Sequence, residues 1–120
     1  MTRSVIALVD DLFFASKIRG TAEELGVRPR FARSIEVAVE AARRDPPDLI
    51  ICDLHSQKVN PMDLARQLKA DDQLRSIPLL GFCSHVQTEL QQQAEQAGFD
   101  RVVPRSAFSK HLGEILSGTK

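Results

Sequence analysis

Apolar residues recur along this chain in two alternating patterns. Ser4–Val9 (SVIALV), Leu49–Cys52 (LIIC) and Leu79–Cys83 (LLGFC) are short, nearly continuous apolar runs, as expected of strands buried on both faces of a parallel sheet. Val102-Val103 is a shorter run of the same kind, and Val27–Ala32 is a weaker one that Pro29 demotes to an edge strand. Between these runs the spacing changes to that of a helix. Phe14, Ile18, Ala22 and Leu25 form one stripe over Leu12–Leu25, with Gly26 placed as the glycine that ends it.

Ser34 is the expected cap of a helix running to about Arg44, which Pro46-Pro47 stops. Asn60, Pro61 and Asp63 mark another helix start, with Leu64, Ala65 and Leu68 inward, after a polar loop over Leu54–Val59. Val86, Leu90, Ala94 and Ala97 stripe a glutamine-rich helix ended by Gly98, and Phe108, Leu112, Ile115 and Leu116 line a final one before a frayed tail, Gly118–Lys120. The order is strand–helix five times over, with no linker. That predicts one α/β domain over residues 1–120, its parallel sheet covered on both faces by right-handed crossovers.

Composition narrows the function. Sixteen basic residues balance sixteen acidic ones, so no net field draws in nucleic acid or an anionic membrane. Six Phe without Trp or Tyr argue against base-stacking platforms. No apolar stretch nears the ~20 residues that span a bilayer, and the opening MTRSVIALVDD is too short and too soon acidic for a signal peptide. With only Cys52 and Cys83, the expected setting is a reducing cytoplasm.

The chemistry lies where the apolar runs end. Ser4–Val9 leads directly into Asp10-Asp11, and Leu49–Cys52 into Asp53. In an open α/β sheet, ligands bind in the crevice at the carboxyl ends of neighbouring strands. Carboxylates from two strands can converge there on one hard cation such as Mg²⁺, which takes one or two carboxylates and keeps several waters. Asp10-Asp11 could also simply cap the first helix, and one residue can do both.

With these elements placed, the chain resembles the CheY-like receiver domains of two-component response regulators. The likeness rests on Asp10-Asp11 after the first strand, Asp53 ending the third, IPLLGFCS (Ile77–Ser84) as a Pro-led fourth strand, and AGFDRVV (Ala97–Val103) as an Ala-Gly turn into the fifth. It implies a flavodoxin-like sandwich with strand order 2-1-3-4-5, a order documented for CheY itself. It further implies Asp53 as phosphoacceptor, with Mg²⁺ held by Asp10, Asp11, Asp53 and the backbone carbonyl of His55. The implied partners are a histidine kinase or phosphotransfer protein, and a downstream protein bound by the face of the fourth helix, fifth strand and fifth helix. Such a chain is a regulatory module rather than an enzyme, monomeric or weakly dimeric.

The departures from the family pattern fall on the site. Cys83 stands where the family has Thr or Ser, with Ser84 in the following small position, and Arg105-Ser106, preceded by Pro104, replaces Lys-Pro. Val102 replaces the usual aromatic, and Pro61 comes later than the usual loop proline. Cys83, Ser84 and Arg105 are therefore the candidate contacts for a phosphoryl group. A thiol donates hydrogen bonds poorly, and a guanidinium approaches an anion as a planar fork, not as a compact ammonium. These changes raise a second reading, a pseudo-receiver that binds proteins without being phosphorylated.

Overall fold

The computed structural model describes residues 3–84 and 88–118. Its elements are β1 (Ser4–Leu8), α1 (Leu12–Glu24), β2 (Arg28–Phe31), α2 (Ile35–Arg44), β3 (Leu49–Asp53), α3 (Pro61–Ala70), β4 (Leu79–Cys83), α4 (Thr88–Ala97), β5 (Arg101–Pro104), α5 (Arg105–Lys110) and α6 (Leu112–Ser117). The five strands are all parallel and ordered β2-β1-β3-β4-β5. This is the expected CheY-like, flavodoxin-like order, with the proline-bearing β2 at one edge.

Alternation along the central strands sends side chains to two cores. Ile6, Leu8, Ile50, Cys52, Leu79 and Cys83 belong to the face shared with Leu64, Leu68 and Ala94 from α3 and α4. Val5, Ala7, Ile51, Leu80 and Phe82 belong to the other, with Phe14, Ile18, Phe108, Leu112 and Leu116 from α1, α5 and α6. Ser34 accepts the Val37 N–H as the cap of α2, and Asn60 accepts those of Met62 and Asp63 as the cap of α3. In both cases the short polar side chain satisfies amides that the helix itself cannot.

Three details differ from the sequence pattern. Leu25 is 47% exposed instead of buried. The turn after α1 explains this: Gly26 adopts φ +72°, and Val27, buried at 5% exposure, takes the inward place. Leu54 and Val59 are buried although their loop reads as polar, because they bracket it and pack against the α3 side of the sheet. The final helix is two short ones that meet at His111. Its expected inward residues are all buried nonetheless. In α4, Ala94 is buried and Leu90 and Ala97 pack partly against the core; the expected Val86 lies outside the described residues, as do residues 119 and 120 of the tail.

Gly81 links this packing to the loop after β3. A Cβ there would lie 2.9 Å from Leu54 Cδ2 and 3.1 Å from Phe99 Cδ1, both on buried side chains. Gly81→Ala should therefore destabilise the fold by about 1–3 kcal/mol through overpacking, read as a lower urea midpoint with an unchanged slope.

Candidate acidic site at the carboxyl end of the sheet

β1 and β3 are neighbours, so the acids that follow or end them emerge side by side at one end of the sheet. Asp11 does two things. Its Oδ1 accepts the N–H groups of Phe13 and Phe14 at 2.9 and 3.3 Å, capping α1. Its Oδ2 lies 3.7 Å from Nη2 of Arg105. Asp53 divides its oxygens in the same way: Oδ1 accepts the His55 N–H at 2.9 Å, and Oδ2 lies 3.9 Å from the same Arg105 Nη2. One oxygen of each carboxylate is thus spent on local backbone, and the other faces a shared cation.

Arg105 is held there by aromatic rings. Its guanidinium carbon sits 4.7 Å from the centroid of Phe14 and 5.7 Å from that of Phe82. Those rings pack on each other at 5.1 Å, and Phe82 stacks on Phe108 at 4.7 Å with 9° between planes. A flat, weakly hydrated guanidinium suits an aromatic face better than an ammonium does, which accounts physically for arginine at this position. The register explains the juxtaposition. Asp53 pairs with Phe82, and alternation puts both on the α1–α5 side of the sheet.

Asp10 is directed elsewhere. Its carboxylate accepts the Ser56 hydroxyl and the Gln57 N–H, each at 2.8 Å, tying the end of β1 to the loop after β3. Burial pushes the Asp10 carboxyl upward, but the Gln57, Ser56 and Lys58 hydrogen bonds and the Lys58 charge outweigh it, and the pKa falls below the ordinary value. A carboxyl with a folded pKa below its unfolded one contributes stability above the unfolded value and loses it as pH falls through the folded one. The wild type should accordingly lose more stability than Asp10→Asn between about pH 5 and the acid end of the carboxylate range, measured by urea unfolding at each pH.

The expected gathering of three acids does not form. Among the described residues, no three His, Cys, Asp or Glu side chains are grouped so as to hold a metal ion. Asp11 and Asp53 do fit the chemistry of a hard cation, since each turns an anionic oxygen to one point already served by a positive group; Asp10 is committed to its loop. His55 stands at the rim, its N–H bound to Asp53 and its Nε2 3.4 Å from the Ser84 hydroxyl.

Cys83 is 1% exposed, and its Sγ lies 3.8 Å from the Val103 carbonyl oxygen, which fits a small buried hydrophobe. Ser84, by contrast, is exposed at the strand end. Burial first, then the charges of Asp53 and Asp10, push the Cys52 thiol up to about 12, so it remains protonated and is no nucleophile beside Asp53. Sequence reasoning missed the Phe14–Phe82 platform and the Ser56 partner of Asp10. The first was legible in principle, because alternation along LLGFC puts Phe82 on the face that Asp53 shares. No comparable periodicity marks Ser56.

With this geometry, the fold is that of the CheY-like receiver domain of response regulators. The chemotaxis response regulator CheY4 of Vibrio cholerae superposes with a TM-score of 0.85 at 17% identity, covering 100% of both chains. The phosphorylated cyanobacterial phytochrome response regulator RcpA superposes at 0.80 with 17% identity over 99% of this chain and 91% of that one. In sequence, the chain is 27% identical over 105 residues to the polar-differentiation response regulator DivK of Brucella ovis, 88% of this chain and 85% of that protein. No family model matches the chain. Sequence relatives and fold together support a receiver domain of the two-component type, a regulatory module. Among the described residues, no helix is long and apolar enough to cross a membrane.

Proposed function

We propose that this chain is a cytoplasmic receiver that accepts a phosphoryl group on Asp53 from a histidine kinase or a phosphotransfer protein, and signals by protein contact through α4, β5 and the α5–α6 segment. The observation that carries the proposal is the convergence of Asp11 Oδ2 and Asp53 Oδ2 on one cation. In the transfer, an Asp53 oxygen attacks phosphorus, an acyl-phosphate bond forms, and the donor's bond to phosphorus breaks. Two anions meet in that step, so positive charge must be in place beforehand. Asp11, Asp53 and the His55 carbonyl are the groups that would hold Mg²⁺, which supplies charge neutralisation for the incoming phosphoryl oxygens. Asp53's side chain is only 10% exposed beside Arg105. The guanidinium therefore has to yield space, after which its fork can receive a phosphoryl oxygen.

A specific observation favours the second reading. Cys83 is buried where a hydroxyl would track the phosphoryl group, and Arg105 is fixed over two rings. A pseudo-receiver, binding its partner without phosphorylation, would carry these features at no functional loss. Incubation with acetyl phosphate and Mg²⁺, read by intact mass beside a control receiver, separates the two. Gain of one phosphoryl group supports the first reading; no gain while the control is modified leaves the second.

A further inference from the structure

We propose that a second site, next to the acidic one, binds a nucleotide. A cavity of about 450 Å³ opens between the start of α1, the end of β2 and the loop after β3, lined by Arg19, Arg33, Lys58, Phe31, Leu12 and Asp10 among others. That volume lies within the ~300–1,000 Å³ range of small-molecule pockets. Three of its walls are cationic. Among the described residues none of Arg19, Arg33 and Lys58 forms a salt bridge, as eight other cations do; Arg3, Lys17, Arg101 and Lys110, which lie outside this cavity, form none either. In a chain whose formal charge is zero, three such cations around one concavity mark a local anion site.

The single acid in the lining does not cancel them. Asp10 already accepts Ser56 and Gln57, and Lys58 acts on it through its backbone N–H as well as its charge, with no side-chain ion pair between them. The remaining surface is suited to a flat ring. The Arg19 guanidinium lies 4.9 Å above the Phe31 ring centroid, and Leu12, 85% exposed, adds an apolar edge. A stacked guanidinium presents its outer face to a planar base, as arginine does toward nucleobases. Arg33 and Lys58 are then left for the phosphate, Arg33 standing just before the capped start of α2, where the helix dipole also favours negative charge. This assignment is independent of phosphorylation at Asp53.

The test is calorimetric titration of the full chain, without Mg²⁺, with GMP and AMP, and with guanosine and inorganic phosphate as the two halves. The expected result is saturable one-to-one binding of at least one nucleotide, tighter than either half. Arg33→Ala/Lys58→Ala, at exposed positions that leave thermal unfolding unchanged, should weaken it at least tenfold, and Arg19→Ala should weaken the nucleotide while sparing inorganic phosphate. Absence of saturable heat with both nucleotides, phosphate binding as tightly as the nucleotide, or unchanged affinity in the double variant would overturn the proposal.

Discussion

Asp53→Asn should eliminate phosphoryl uptake from acetyl phosphate while leaving the fold intact. Asparagine keeps the size and the Oδ1 acceptor for the His55 N–H, so the loop after β3 retains its anchor at 2.9 Å. It removes the anionic oxygen that faces Arg105. A neutral amide is not a nucleophile toward phosphorus at neutral pH, and the loss should be complete, with no residual mass shift where wild type gains one group. Asp11→Asn is the informative companion. It can still cap α1, but it withdraws charge from the same point, so uptake should slow without disappearing. If Asp53→Asn is modified as readily as wild type, the acceptor lies elsewhere.

Phe82→Ala should be the most damaging single substitution for the fold of this site. Phe82 is fully buried, stacks on Phe108, packs on Phe14 and lies under Arg105. Truncating a buried phenylalanine costs about 3–5 kcal/mol, the cavity included, a large part of the ~5–15 kcal/mol that holds a small domain folded. Loss of the ring also removes half of the surface that positions the guanidinium between the two carboxylates. Urea unfolding should show a clearly lower midpoint. Phe82→Leu, which keeps most of the volume, should recover much of it while leaving Arg105 less constrained. A loss under 1 kcal/mol for Phe82→Ala would mean the aromatic cluster contributes little.

The physical reasons for these expectations were unevenly visible in the residues alone. The two strand ends that deliver Asp11 and Asp53 stood out, because continuous apolar runs stop abruptly at acids. Caps at Ser34 and Asn60 were equally plain, since short polar side chains before helical stripes have few other uses. The break at His111 was hidden: Phe108, Leu112, Ile115 and Leu116 keep helical spacing straight through it, and neither Gly nor Pro marks the place. The turning of Asp10 toward Ser56 and Gln57 was hidden too, because it depends on how a short loop folds back across the sheet end. Arg105 could be named from its place after β5. Its seat over Phe14 and Phe82 required knowing that strand alternation, helix α1 and the start of α5 meet on one face.

The joint cation site of Asp11 and Asp53 is tested most directly by calorimetric titration of Mg²⁺ into wild type, Asp11→Asn and Asp53→Asn. The account predicts saturable one-to-one binding in wild type, weakened by about tenfold or more in each variant, which is about 1.4 kcal/mol lost per withdrawn carboxylate. Binding that is unchanged in either variant, or absent from wild type at millimolar Mg²⁺, would contradict it.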